Sequence, residues 1–304
     1  MKKALALILT ASLLTGVLTA CGSSKAQTDA AETTTEEAAA EETAAEEETA
    51  DTDAQAETGD LQVITVAATA VPHAEILEAA KPILAEQGYD LQITVFDDYV
   101  QPNEVVEAGD IDCNYFQHIP YLNSYNEERG THLVSVGEIH YEPIGIYAGT
   151  ESDLSNIPDG ADIAIPNDTT NEARALLILQ DNGIITLKEG AGIDATINDI
   201  AENPHNINFV EMEAAQVSKV LSEVAFAVIN GNYALDAGLN AQTDALASET
   251  SDSLAAQTYV NVVVVKEGNE DNEGVKALVD VLKSDDIKKF IEETYEGAVV
   301  PFEG

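Results

Sequence analysis

Strand-like and helix-like hydrophobic patterns alternate from residue 61 to the C-terminus. Residues 61–67 form a β-type run. Pro72-His73-Ala74 then opens a helical pattern in which Ile76, Leu77, Ala80 and Leu84 share one face until Gly88 stops it. Residues 91–96 are the next strand, so the segment reads as a βαβ unit with a parallel sheet and a right-handed crossover. A short helix at 103–108 and apolar stretches at 111–116, 133–136 and 143–148 follow. After the turn-rich 151–160 come a buried strand at 162–166 and a helix over about 171–180, closed by Asn182-Gly183. Further strands are expected at 207–212, 225–229 and 259–266, with helices at 214–221 and 233–237 between them. Two amphipathic helices, 274–282 and 286–295, end the chain, and no internal repeat is visible. The alternation predicts an α/β fold, most simply two lobes with a cleft between them.

The amino end follows a different rule. Met1-Lys2-Lys3 precedes an apolar run over 4–14, interrupted at 10–12, and then Leu18-Thr19-Ala20-Cys21. Charged, apolar and small-residue segments in that order make residues 1–20 a secretory signal, too short for a permanent span of about 20 apolar residues. Leu-x-Ala-Cys resembles the bacterial lipobox, in which cleavage leaves the cysteine as the first residue with diacylglycerol on its sulfur. Cys21 is therefore expected to be lipidated and to hold the chain at the extracytoplasmic face of a membrane. The alternative is an ordinary leader with a chance cysteine. From Ser23 to Asp60 the chain has no aromatic and, after Lys25, no basic residue. So little apolar surface does not offset the cost of ordering, and 21–60 is expected to be an acidic tether. A surface helix over the Ala-Glu runs at 36–48 is the alternative, disfavoured by uncompensated like charge.

Charge and cysteine content narrow the function. A formal net charge of −43 with only 13 Lys and Arg excludes nucleic acid as a partner, because a phosphate backbone needs a basic face. Cys113 is the only cysteine besides Cys21, so the mature fold has no intramolecular disulfide, and Cys113 reads as a small buried hydrophobe. No Gly-x-Ser-x-Gly elbow, His-Glu-x-x-His, phosphate loop or paired-Cys motif is present, which leaves an enzyme the least supported class. His73, His118, His132, His140 and His205 show no ligand-like spacing, so no metal site and no cofactor are expected.

Three segments carry candidate chemistry. In the run from Ile165 to Leu177, Thr169 and Glu172 fit a capping box, leaving backbone N–H groups at a helix start for an anion. Arg174, in that first turn, sits against the helix dipole. Either a ligand carboxylate explains it through a bidentate pair, or Arg174 is exposed and paired with Glu172 or Asp168. The run from Asp110 to Leu122 packs aromatic and amide groups at a strand end, the usual ligand address in open α/β sheets. Phe116 and His118 there line a slot for an apolar side chain, or else are a core residue and a structural histidine. Asn230-Gly231-Asn232 follows the strand at 225–229 and offers donors and acceptors to a zwitterion, or is a plain turn.

Together these segments resemble the NlpA lipoprotein family, the methionine-binding lipoproteins of ABC importers. The resemblance rests on Val71-Pro72-His73-Ala74-Glu75-Ile76-Leu77, Phe96-Asp97-Asp98-Tyr99-Val100-Gln101-Pro102-Asn103 and Asn114-Tyr115-Phe116-Gln117-His118. It continues through Ala164-Ile165-Pro166-Asn167-Asp168, Asn171 with Arg174-Ala175-Leu176, Leu187-Lys188-Glu189-Gly190 and Gly297-Ala298-Val299-Val300-Pro301. The family pattern carries Pro where this chain has Ala70 and Ala where it has Cys113. The resemblance implies a periplasmic-binding-protein-like fold: 61–145 as the first part of lobe 1, 146–258 as lobe 2, and 259–304 crossing back mainly to lobe 1. It implies a free amino acid enclosed between the lobes, L-methionine or a close analogue, delivered to an ABC permease and its ATPase. Arg174 would hold the carboxylate, with Asn171 beside it and Asn230 adding polar contacts. Phe116, His118, Tyr99 and Tyr147 would line a thioether pocket, where sulfur–ring contacts contribute about 0.3–1.5 kcal/mol. A metal-capturing lipoprotein and a surface adhesin or scaffold are the alternatives.

The leader reading has a direct check. Intact-mass analysis of the membrane-extracted protein should give a chain starting at Cys21 and carrying acyl groups, and a Cys21→Ala variant should leave the membrane. A mature chain at the mass of a free Cys21 thiol would contradict it.

Overall fold

The computed structural model describes residues 61–250 and 254–303. The leader, Cys21 and the acidic tether expected over 21–60 lie outside the described residues.

Two sheets organise the chain. The first is built from β1 (Gln62–Ala68), β2 (Tyr89–Val95), β3 (Cys113–His118), β4 (Leu133–Tyr141), β12 (Val260–Lys266) and β13 (Val300–Pro301), in the order β13-β4-β12-β3-β1-β2. The second contains β5 (Gly145–Ala148), β6 (Asp162–Pro166), β9 (Asn208–Met212), β10 (Phe226–Ile229) and β11 (Ala245–Ser248), in the order β11-β5-β10-β6-β9. A small antiparallel pair, β7 (Thr186–Leu187) and β8 (Ile200–Glu202), lies apart. The chain leaves the first sheet after β4 and returns to it at β12. Two crossing segments, one after Tyr141 and one after Ser248, therefore join the lobes.

The patterns that predict these elements also say why they form. Ile64, Val66 and Ala68 point to one face of β1, and Ile76, Leu77, Ala80 and Leu84 of α1 (Glu75–Glu86) bury against it, all at 2% exposure or less. β1 and β2 pair in parallel from Gln62 opposite Tyr89 to Ala68 opposite Val95, as the βαβ reading expects. Gly88 ends the helix segment with φ +91°, a left-handed conformation that favours glycine. The C-terminal helices α8 (Glu273–Leu282) and α9 (Asp285–Tyr295) cover the same face through Val275, Leu278, Val281, Ile287 and Ile291. Every residue of β12 except Lys266 is buried, so it is the central, doubly covered strand that its valine run implies. On the opposite face lie α2 (Gln101–Ala108) and α3 (Ile119–Arg129), packed over Phe116, Val262 and Val264.

In the second lobe α4 (Thr169–Asp181) buries Ala173, Ala175, Leu176 and Leu179 against β6 and β10. The shorter α5 (Ala214–Val217) and α6 (Gly231–Asp236) cover the other face with Val217, Tyr233 and Ala234. Between β11 and β12 runs α7 (Leu254–Thr258). Cys113 is fully buried, and burial raises its thiol pKa far above the ordinary value, so it is the inert hydrophobe expected.

Three elements depart from the sequence pattern. α3 is long but polar, Asn-Ser-Tyr-Asn-Glu-Glu-Arg, and gives almost no helical periodicity; His118 caps it by accepting from the Tyr121 amide. β4 runs nine residues because β12 pairs along its whole length and β13 adds partners at His140 and Tyr141. β11 has only intermediate and exposed residues, and it is a strand only because β5 offers an edge.

Close approach makes Gly149 irreplaceable. A Cβ there would lie 2.2 Å from the Val224 carbonyl oxygen and 2.6 Å from that of Leu221. These are backbone atoms with no flexible end to yield, so Gly149→Ala should destabilise the fold by about 1–3 kcal/mol. Urea denaturation should show a lower midpoint, and an unchanged midpoint would contradict this packing.

Candidate functional site

The two lobes meet over a small, partly open cavity. From the first lobe Tyr99, Phe116, Gln117, His118, Tyr121 and Asn261 line it; from the second come Asn171, Arg174, Asn230, Gly231 and Asn232, and Glu142 reaches in from the first crossing segment. Six of the seven residues singled out from the sequence thus meet at one place. Tyr147 is the exception. It is 1% exposed, belongs to the core beneath α5 and α6, and is not among the residues lining the cavity. Its position in a strand gave no indication of which sheet face it would take.

The polar end is held by Arg174, and here the sequence expectation needs correcting. Arg174 is the sixth residue of α4 rather than part of its first turn, and it is 3% exposed. It does not pair with Glu172 or Asp168. Its Nε lies 2.9 Å from Oε1 of Glu249 and its Nη2 2.5 Å from Oε2, while Nη2 also donates to the Glu142 carbonyl at 2.8 Å. The guanidinium lies 4.2 Å from the Tyr259 ring centroid. Glu249 accepts two further bonds, from the Tyr141 hydroxyl and the Ile144 amide. Burial alone would raise its carboxyl pKa; the Arg174 charge and these hydrogen bonds reverse that and hold it below the ordinary range. Arg174 therefore ties α4 to both crossing segments.

The helix start differs as well. The N-cap of α4 is Asp168, whose carboxylate accepts from the Asn171 amide at 3.1 Å and its side-chain nitrogen at 2.7 Å. Glu172 is drawn instead to the Ile197 amide, 2.9 Å away. The Thr169/Glu172 capping box does not form, because Asp168 takes the N-cap one residue earlier, the Glu172 amide donates to the Asp168 carbonyl, and the Glu172 side chain finds a long-range partner.

Amide groups connect the two lobes across the cavity. The Asn171 Oδ1 accepts from Asn230 Nδ2 at 2.7 Å and meets His118 Nε2 at 3.1 Å. Since the Tyr121 amide donates to His118 Nδ1 at 3.1 Å, the Nε2 carries the ring proton and donates to Asn171. Burial, reinforced by the Arg174 charge, pushes the His118 pKa down to about 3 and keeps the ring neutral. His118 thus combines both roles weighed from the sequence, capping α3 and lining the cavity. Asn230 Oδ1 is buried with no hydrogen-bond partner, although its residue is 5% exposed. An orphaned acceptor costs about 1–3 kcal/mol, and a donor inside the cavity would recover it.

The other end is aromatic. The Tyr99 ring stands 5.8 Å from Phe116, 5.6 Å from Tyr121 and 5.0 Å from Tyr233. The Tyr99 hydroxyl donates to Asn232 and that of Tyr233 to the Asp97 carbonyl, so both bonds span the lobes. Gly231 is required where it stands: a Cβ would sit 2.7 Å from Cβ of Glu142.

Sequence reasoning named Asn232 only within its segment and missed Gln117, Tyr121, Glu142, Asn261 and the anchoring Glu249. Gln117 and Tyr121 lie within a segment already marked as informative, whereas Glu142 and Glu249 fall in connections with no motif. The histidine spacing was equally silent. His73, His140 and Glu142 are buried together, with their potential ligand atoms all within 4.8 Å, the one such grouping among the described residues.

Comparison with known proteins agrees with this geometry. The family model for NlpA lipoprotein matches residues 64–303. This chain belongs to the NlpA lipoprotein family. The methionine-binding lipoprotein MetQ of Bacillus subtilis is 41% identical over 250 residues, 81% of this chain and 90% of that protein. A crystal structure from Ruminococcus gnavus has 66% identity and a TM-score of 0.79, covering 80% of this chain and 100% of that one. A nutrient-binding protein from Burkholderia cenocepacia, solved bound to methionine, has 42% identity and a TM-score of 0.74, covering 78% and 99% of the two chains. The family is one of substrate-binding lipoproteins rather than an enzyme class, and the two α/β lobes are those of its solved members. Among the described residues no helix is long and apolar enough to cross a membrane.

Removing the Arg174 anchor should be costly. Glu249→Ala leaves a buried guanidinium uncompensated and should destabilise the protein by roughly 3–5 kcal/mol. The Glu249 contribution is fully present above the unfolded value near 4.5 and is lost as pH falls through the depressed folded value. Wild-type stability should therefore fall on acidification below that point more steeply than the variant's, as urea titrations from pH 6 to pH 3 would read. Equal slopes would show that the pair carries no charge-dependent stability.

Proposed function

We propose that this chain captures free methionine outside the cell and delivers it to an ABC importer. The observation that carries the reading is the polarity of one cavity lined from both lobes. Arg174 and the amides of Asn171 and Asn230 stand at one end, with Glu142 and the orphaned Asn230 Oδ1 in reach of a cation, and Tyr99, Phe116 and Tyr121 form the other. A zwitterion with a slim, unbranched, polarisable side chain satisfies each part. Its carboxylate would meet the guanidinium, its ammonium Glu142 and Asn230, and its thioether the aromatic wall. The methionine-binding relatives and the methionine-bound neighbour support the same ligand.

Residues 61–145 and 259–304 would form one lobe and 146–258 the other, hinged at the two crossing segments. Ligand would shift an open form toward the closed one, in which Tyr99–Asn232 and Tyr233–Asp97 bridge the lobes. Cys21 would carry the lipid that holds the receptor at the extracytoplasmic membrane face, with the acidic segment up to residue 60 as a leash. Tethering raises the local concentration beside a permease and its ATPase without adding a contact.

Calorimetry of the full mature chain with L-methionine should show one site per chain, and Asn230→Ala should weaken it by roughly tenfold to a hundredfold, the loss expected for a hydrogen bond to a charged group. No heat and no thermal shift at millimolar methionine would overturn the proposal. A wild-type affinity in Asn230→Ala would remove only the ammonium contact.

A further inference from the structure

Behind the cavity, Glu142 belongs to a buried network that the contacts described so far do not use. His73 precedes α1 and is 1% exposed, His140 on β4 is fully buried, and Glu142 is 5% exposed. His140 Nε2 lies 2.7 Å from Oε1 of Glu142; His73 Nε2 lies 3.3 Å from the same oxygen and 3.1 Å from Asn261 Oδ1. On their far sides the two rings meet hydroxyls, His73 Nδ1 that of Thr69 at 2.8 Å and His140 Nδ1 that of Tyr115.

Hydrogen-bond accounting fixes the protons. Burial lowers the pKa of His73 to about 4 and that of His140 to about 3, so each ring carries one proton at neutral pH. With the Glu142 carboxylate ionised, His140 Nε2 donates to it, while His73 Nε2 donates to Asn261 Oδ1 and stands 3.3 Å from the same carboxylate oxygen. Both Nδ1 atoms then accept, and the Thr69 and Tyr115 hydroxyls supply their protons. We propose that His140 is a positioning residue for Glu142, with His73 packed beside it: the His140 Nε2–H holds the carboxylate as a fixed anion, so that the cavity selects ligands with a protonated α-amino group. The proposal rests on the amino-acid reading above and adds to it the origin of selectivity at the amine.

Burial raises the Glu142 pKa above the ordinary carboxylate value, and His73, the Arg174 charge and the Asn232 amide oppose that rise. Burial, with a smaller contribution from Glu142, raises the pKa values of the Tyr99, Tyr115 and Tyr295 hydroxyls far from neutrality, so they stay protonated. With no competing base in contact, removing one imidazole donor should raise the pH at which Glu142 takes up a proton. An N-acylated amine would present neither charge nor room, since Gly231 already packs against the Glu142 side chain. A metal ion is the rival occupant of the same three donors. The 2.7 Å contact is a hydrogen-bond distance and places the carboxylate directly on the ring nitrogen.

The full mature chain tests this with two ligands, L-methionine and 4-(methylthio)butanoate, which lacks the amino group. His140→Phe should weaken methionine at least about tenfold, leave the butanoate affinity within about twofold, and move the acid limit of methionine binding to higher pH. His140→Gln, which keeps an N–H, should restore most of the loss. Equal weakening for both ligands, or an unmoved acid limit, would assign His140 a purely structural role and overturn the proposal. Nitrogen-15 NMR of the ligand-free wild type gives an independent reading that needs no variant to fold: both rings should be Nε2–H tautomers. An Nδ1–H tautomer at either ring, or stoichiometric metal by elemental analysis, would overturn it. A wild type that binds neither compound would sink the methionine reading alone, and the tautomers would then decide the positioning role.

Discussion

A guanidinium buried in the body of the protein has to be neutralised where it lies, and much of the site follows from how that is done. Arg174 takes its counter-charge from Glu249 on one crossing segment and gives a hydrogen bond to the Glu142 carbonyl on the other. Glu249 in turn accepts from Tyr141 and Ile144 at the point where the chain first leaves the first sheet. One ion pair thus fixes α4 relative to both connections between the lobes. A buried pair of this kind is weak evidence for net stability, because desolvation offsets much of the attraction. Its value here is geometric, since it holds a charge at a set position beside a cavity that forms only when the lobes meet.

The cavity has a consistent electrostatic plan. The Arg174–Glu249 ion pair and the buried Glu142 carboxyl flank the cavity, and the neutral groups His118, Asn171 and Asn230 are linked by oriented hydrogen bonds. Burial keeps the imidazoles of His118 and His73 uncharged. The aromatic wall formed by Tyr99, Phe116 and Tyr121 adds surface without charge. Such preorganisation lowers the ordering cost at binding, which area alone does not report.

The same physics explains what was legible from the chain. Periodicity located α1, α4, α8 and α9, because each buries one continuous apolar face and the spacing of that face is a local property. It overlooked α3, whose helical state depends on the His118 cap and on packing of Tyr121, Leu122 and Tyr125 rather than on a stripe. The segments around Phe116, Arg174 and Asn230 were informative because a strand end or helix start places polar groups at predictable points. Tyr147 misled because alternation fixes that a strand has two faces and not which one meets a ligand.

By itself the sequence determined the α/β class, the family, and six of the residues that line the cavity. These follow from composition, local period and motifs, each readable within a short window. Only the tertiary structure decided that Arg174 is paired with Glu249, that Asp168 caps α4, and that His73, His140 and Glu142 form one network. Those facts depend on contacts between residues far apart in the chain, and a side chain's partner across a fold leaves no trace in the spacing of its neighbours.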